Sequence, residues 1–151
     1  EVPVLVTTGG STRFHSVRNG LSHISSSGLV AIHDGVRPFV SEKTILKGYR
    51  MAQAFKSAIP VVPLIDSIRH IQGESNKAVD RANYRLVQTP QVFDITLLKT
   101  AYQQSFSDTF TDDASVIEAM GHSVTLFDGN SENIKITTPF DLKVAEMMVD
   151  K

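Results

Sequence analysis

In the stretch "LVAIHDGVRPFV", residues 29–40, a run of small apolar residues stops at His33-Asp34, turns on Gly35 and continues into Arg37-Pro38. A carboxylate and a guanidinium three positions apart, at the end of a buried strand, admit three readings. They are an ion pair that shapes the turn, an acid/base device, or two halves of a clamp for a polar, anionic ligand. Asp34 can accept hydrogen bonds from hydroxyls, and Arg37 can hold a phosphate in a bidentate manner. Gly35 allows a ligand to approach the backbone closely, and Pro38 stiffens the exit from the turn.

Other segments offer chemistry of the same kind. In "TTGGSTRFHS" a glycine turn, Gly9-Gly10, leads into a helix start, where backbone N–H groups and the helix dipole suit an anion or the polar edge of a base. Arg13 and Ser16 can project from the first turn of that helix toward a cleft. "VQTPQVF" presents the Thr89 hydroxyl just before a proline, where it is either a turn residue or a donor to a ligand. "TFTDDAS" reads as a helix start, with Asp112-Asp113 at the positive end of the dipole. Lys135, in "ENIKITTPFDL", lies in a β-like piece and points opposite to Ile134 and Ile136. His15, His23, His33, His70 and His122 are scattered without paired metal spacing, so no metal-ligating residues are assigned. No nucleophile elbow and no serine–histidine constellation occurs, which argues against hydrolysis through a covalent intermediate.

These residues need a scaffold, and the apolar pattern outlines one. Strand-length apolar runs at 2–7, 28–34, 58–65, 84–88 and 123–127 alternate with segments of helical period. Ser11 or Thr12 can cap a first helix carrying Phe14, Val17, Leu21 and Ile24. Ser41 can cap a second with Ile45, Leu46, Tyr49 and Ala52 on its inner face. Asp94 can start a third through Leu98, Ala101 and Tyr102, and Thr111 or Asp112 a fourth that ends at Gly121. Thr138 and Pro139 open the last helix. Continuous rather than alternating apolar strands indicate burial on both faces, so the expected fold is α/β, a three-layer, open, mostly parallel Rossmann-like sheet. Ligands in such folds sit beyond the carboxyl ends of the strands, which places Gly9-Gly10, Asp34 and Asp66 along one edge. From Asp66 to Arg81 the rhythm breaks into a polar hairpin turning at "QGESN". A lone hairpin is marginal in water, so this arm is expected to lean on another surface, most simply a second subunit.

Composition narrows the partners. The 151 residues are 41% hydrophobic and 21% charged, in keeping with one soluble domain and a substantial core. The formal net charge of −1 provides no global field for nucleic acid or an anionic membrane, so neither is an expected partner. The absence of cysteine removes disulfides and thiolate chemistry and fits a cytoplasmic setting. No run is long and apolar enough to span a bilayer. The chain opens at Glu1, without a methionine, and enters an apolar run at once, as though cut from a longer protein.

Taken in order, "GGSTRFHSVRNGL", "HDGVRPF", "PLIDSIR", "VDRANYRLVQTPQVF", "TDDASVIEAMG" and "NIKITTPFDL" closely resemble the 2-C-methyl-D-erythritol 4-phosphate cytidylyltransferase family, over Gly9 to Leu142. The resemblance implies a single nucleotidyltransferase domain over 1–151, with a dimerisation arm at 66–83. It implies an enzyme of the non-mevalonate isoprenoid route that joins CTP to methylerythritol phosphate, giving the CDP-alcohol and pyrophosphate, with Mg2+ held mainly by the CTP phosphates. Gly10, Ser11, Arg13 and Ser16 match the segment that reads cytosine. Asp34 and Gly35 match contacts to substrate hydroxyls and ribose. Arg37, Thr89 and Lys135 match the pocket for the sugar phosphate, which Ser67 and Arg81 reach from the partner subunit's arm of a homodimer. The resemblance further implies that Arg81 and Lys135 position substrate for catalysis.

The sequence departs from the family at Ser11, where an acidic residue is common, at Ser67, where threonine is usual, and at Gly35, where alanine is usual. The family's first glycine-rich loop has no counterpart, so the chain from Glu1 onward is expected to be incomplete for catalysis. Two alternatives remain: a ribitol- or other alditol-phosphate cytidylyltransferase, and a noncatalytic dimerisation or phosphate-binding fragment.

Overall fold

A computed structural model of the chain describes residues 2–149, so Glu1 lies outside the described residues. Five helices and seven strands follow in the order α1 (Arg13–Ser22), β1 (Leu29–Ile32), α2 (Glu42–Phe55), β2 (Ser57–Pro63), β3 (Ile68–Gln72), β4 (Ser75–Val79), β5 (Arg85–Val87), β6 (Gln91–Asp94), α3 (Ile95–Ala101), α4 (Asp113–Glu118), β7 (Leu126–Asp128) and α5 (Pro139–Val149). A single 3-10 turn, Arg81–Asn83, precedes β5.

Helix starts follow local chemistry. The side chains of Thr12, Ser41, Asp94 and Asp112 each accept a hydrogen bond from a backbone N–H of the first turn they precede. At α5, Thr138 Oγ1 accepts from Asp141 N, while the Asp141 carboxylate accepts from Thr138 N, a reciprocal cap with aspartate at the third position.

The main sheet is mixed, not mostly parallel. Its order is β1-β6-β2-β5, with β7 on β2, and only the β2–β7 pairing is parallel. Strands β1, β2 and β7 do share one direction. After β2, however, the chain makes an excursion and returns along it as β5 and β6, and this return leg inserts β6 between β1 and β2. Apolar continuity reports burial on two faces and carries no information on direction. The expected first strand, 2–7, forms no ladder among the described residues, and Val2, Val4 and Val6 are each at least 85% exposed.

Two apolar clusters cover the sheet. One joins Phe14 and Leu21 of α1 and Leu98 of α3 with Val116 and Ile117 of α4, over Ile59, Val61 and Phe93. The other sets Ala52 of α2 against Ala58, Val92 and Phe127. Here the expected inner face is corrected: α2 buries Thr44, Gly48 and Ala52, leaving Leu46 and Tyr49 exposed. A Cβ at Gly48 would lie 3.1 Å from Val92 Cγ2, so small residues bring the helix backbone against the sheet where larger ones would hold it off. The arm forms as expected, as a separate two-stranded sheet of β3 and β4 turning through Gly73-Glu74, with Gly73 at φ 58°. Nearly all its residues are exposed, and it contributes nothing to either core. No helix among the described residues is long and apolar enough to cross a membrane.

Candidate functional site

The return leg is interrupted between Val87 and Gln91, and a cleft of about 250 Å³ opens at this interruption. It lies where β1 ends and β6 begins, because Ile32 pairs with Gln91. Arg13, Asp34, Arg37, Thr89, Gln91 and Lys135 contribute to its wall. A larger groove, about 540 Å³, runs past Phe55, Asp94, Leu97 and His122, but it gathers no comparable set of charges.

Asp34 organises the cleft. Its Oδ2 lies 3.1 Å from Lys135 Nζ and 3.3 Å from Arg37 Nε, and its Oδ1 lies 3.8 Å from Arg13 Nε. The Asp34 side chain is only 13% exposed. Burial pushes its carboxyl up, but the Lys135 hydrogen bond and charge, with help from Arg37 and Arg13, outweigh that and hold it below the usual carboxylate range. The Asp34–Arg37 ion pair and the cleft wall are therefore the same structure. Arg37 N also donates to Asp34 O, closing the turn between them.

Behind the wall, Thr89 and His33 hold the turn. Asp34 N donates to Thr89 Oγ1 at 2.9 Å, and His33 Nδ1 sits 2.9 Å from the same hydroxyl. The other ring nitrogen, Nε2, lies 3.0 Å from the Arg37 carbonyl, which can only accept. In the neutral imidazole, therefore, Nε2 carries the proton, Nδ1 accepts, and the Thr89 hydroxyl donates to it. The donor expected to serve a ligand is engaged inside the protein. Lys135 lies in a segment that joins no ladder, a departure from the expected strand, though Ile134 and Ile136 are half-buried on either side of it.

Arg13 is the member of the glycine-turn group that lines the cleft. Its Nη2 donates to Asp113 Oδ2 at 2.6 Å, and the Asp113 Oδ1 accepts from Tyr102 Oη at 2.5 Å. Burial opposes the charge on Arg13, but the hydrogen bond and charge of Asp113 more than compensate and raise its pKa; burial and Asp113 raise that of Tyr102 as well. Ser16 turns inward, its hydroxyl donating to Thr12 O and accepting from Gly10 N, while Ser11 Oγ lies 3.3 Å from His15 Nδ1. A Cβ at Gly10 would fall 2.3 Å from His15 Cβ, so this glycine is required by packing; one at Gly35 would meet nothing within 4 Å.

Ser67, Arg81 and Asp66 do not line this cleft; the Arg81 guanidinium is bonded to the Ile65 carbonyl at the base of the arm. Asp113, Gln91 and Asn133, all fully buried polar residues around the cleft, escaped sequence reasoning. Only "TDDAS" hinted at Asp113, as a helix start. Among the described residues no three His, Asp or Glu side chains gather as a metal centre. The carboxylates at the cleft are engaged, Asp34 with cations and Asp112 with Gln91 and its own helix start.

Comparisons with known proteins converge on one family. The profile of the family described as "IspD: 2-C-methyl-D-erythritol 4-phosphate cytidylyltransferase" matches residues 1–151. The chain is 55% identical over 144 residues to the enzyme of that name from Phocaeicola vulgatus, covering 95% of this chain and 66% of that protein. It is 54% identical over 149 residues to the Bacteroides fragilis enzyme, covering 99% and 68%. It therefore spans about two thirds of the length of these curated relatives. The crystal structure of the Thermus thermophilus enzyme superposes with a TM-score of 0.87 at 37% identity, covering 96% of this chain and 72% of that one. That of the Francisella tularensis enzyme gives 0.85 at 30%, covering 97% and 72%. By profile, sequence and fold, the chain belongs to the 2-C-methyl-D-erythritol 4-phosphate cytidylyltransferase family.

Proposed function

We propose that the protein carrying this chain transfers a cytidylyl group from CTP to 2-C-methyl-D-erythritol 4-phosphate, in the cytoplasm, where CTP is made. The observation that carries this reading is the gathering of Arg13, Arg37 and Lys135 around Asp34 at the sheet edge, in a chain of this family. In the reaction, an oxygen of the sugar phosphate bonds to the α-phosphorus of CTP. The bond from that phosphorus to the β-phosphate breaks, and pyrophosphate leaves. The attacking oxygen is already anionic, so neither a protein nucleophile nor a base is needed, in keeping with the residues present. The chain's task is to bring two anions together and neutralise them.

In this reading Arg37 and Lys135 bind the sugar phosphate, and Asp34 accepts from substrate hydroxyls and offsets the mutual repulsion of the three cations. Thr89 holds the Asp34 turn in place. The glycine turn, Gly10 to Ser16, receives the base through its backbone, with Ser11 and Arg13 facing the nucleotide. Gly35 leaves open space for the ribose. Mg2+ carried on the CTP phosphates supplies further charge neutralisation when bound. The 66–83 arm crosses to a second copy, where Ser67 and Arg81 complete the sugar-phosphate pocket.

The test is pyrophosphate release from CTP by the full-length protein with methylerythritol phosphate, with ribitol phosphate, or with neither. Release that depends on methylerythritol phosphate is expected. A clear preference for ribitol phosphate would transfer the assignment to an alditol-phosphate cytidylyltransferase, and no release with either would leave the fragment reading standing.

A further inference from the structure

We propose that Asn133 is a positioning residue for the sugar-phosphate half of the site, acting through Arg37 and Lys135; this inference rests on the function proposed above. Asn133 is fully buried, so it acts through other residues rather than on a ligand. Its backbone carbonyl accepts from Arg37 Nη1 at 2.8 Å and from Gln88 Nε2 at 3.4 Å. Its side-chain Nδ2 donates to Thr89 O at 2.8 Å, within the interruption of the return leg. Arg37 is thus held from two directions, by Asp34 at Nε and by Asn133 at Nη1.

The position of Lys135 follows from the same ties. It lies in a segment with no strand ladder, so nothing regular locates it. The segment is registered against the Asp34 turn at two places, Arg37 to Asn133 and Ile136 N to Val36 O, and Lys135 stands between them. Upstream, Asn130 adds a third tie, its Nδ2 donating to Phe39 O and its Oδ1 accepting from Ser41 N. Gln88 braces the loop from behind by donating to Asn130 O at 3.0 Å. Among the described residues no donor reaches Asn133 Oδ1, so the side chain's protein contact is through Nδ2. The network aims two cations at one carboxylate.

The test is a double-mutant cycle on the full-length protein, reading KM for methylerythritol phosphate and for CTP separately. Asn133→Ala removes the side-chain tie to Thr89 O that fixes the backbone carbonyl under Arg37, and is expected to raise the sugar-phosphate KM about tenfold or more while the CTP KM moves less than about twofold. Combined with Lys135→Met, its effect should fall well below the product of the two single changes. Equal rises in both KM values, or fully multiplicative effects, would overturn the proposal. If Asn133→Ala does not fold, Gln88→Met, which conserves volume but removes the Nε2 donor, must raise the sugar-phosphate KM selectively; no change would overturn the proposal equally. A wild-type protein that releases no pyrophosphate with any sugar phosphate defeats the functional reading itself, an outcome distinct from these.

Discussion

Arg13 and Asp113 stand 100 residues apart in the chain and 2.6 Å apart in space, joining the first turn of α1 to the first residue of α4. Asp113 is completely buried, and its second oxygen holds Tyr102. The pair therefore locks the α1 side of the cleft to the larger apolar core.

Asp113→Asn should destabilise the full-length protein by about 2 kcal/mol, the scale of a hydrogen bond to a charged group, read from the urea unfolding midpoint. Arg13 then loses its buried anchor, so the CTP KM should rise as well. An unchanged midpoint would show that the bond contributes nothing net.

Two glycines beside the site should respond oppositely to the same change. Gly10→Ala forces the turn off the first turn of α1 and should cost roughly 1–3 kcal/mol, as overpacking does. Gly35→Ala meets open space and should stay within about 0.5 kcal/mol. Thermal melts of the two variants side by side decide this.

The carboxyl of Asp34 has a folded-state pKa below its unfolded value of about 3.9, so its contribution to stability is complete above the unfolded value and lost as pH falls through the folded one. The stability gap between wild type and Asp34→Asn should therefore be level above about pH 5 and close below about pH 4. Subtracting the variant matters because Glu132 and Asp141 are also held low and titrate in the same range. Urea midpoints across a pH series give the curve; a gap that widens on acidification would contradict the sign.

Removal of residues 66–83 should leave a monomer in sedimentation, since the arm packs into neither core of its own chain. Arg81→Ala should weaken sugar-phosphate binding roughly 10–100-fold, the equivalent of one hydrogen bond to a charged group, and spare CTP. A persistent dimer, or unchanged sugar-phosphate affinity, would count against the arm's role.

What was legible in the sequence is what local chemistry decides. Thr12, Ser41, Asp94 and Asp112 cap their helices through atoms no more than three residues away, and the polar hairpin announces itself by composition. The strand-edge rule brought Asp34 to the cleft but also named Asp66, which does not line it, and it was the family resemblance that set Arg37, Thr89 and Lys135 beside Asp34. Strand direction was not legible, since β6 inserts between β1 and β2 only after a long excursion. Nor was the inner face of α2, where Gly48 and not Leu46 meets the sheet. Asp113 and Asn133 were missed for a related reason: a buried polar residue is defined by partners distant in sequence, 100 positions away for one and 96 for the other.

The carboxylate at the centre of the cleft has one more consequence. With Asp34 seated among Lys135, Arg37 and Arg13, the site contains its own counter-anion before any ligand arrives. An anion that enters must exchange partners with Asp34 rather than fill a bare positive hole. A group with several oxygens can satisfy the three cations together and so displace the carboxylate, which a single-atom anion cannot.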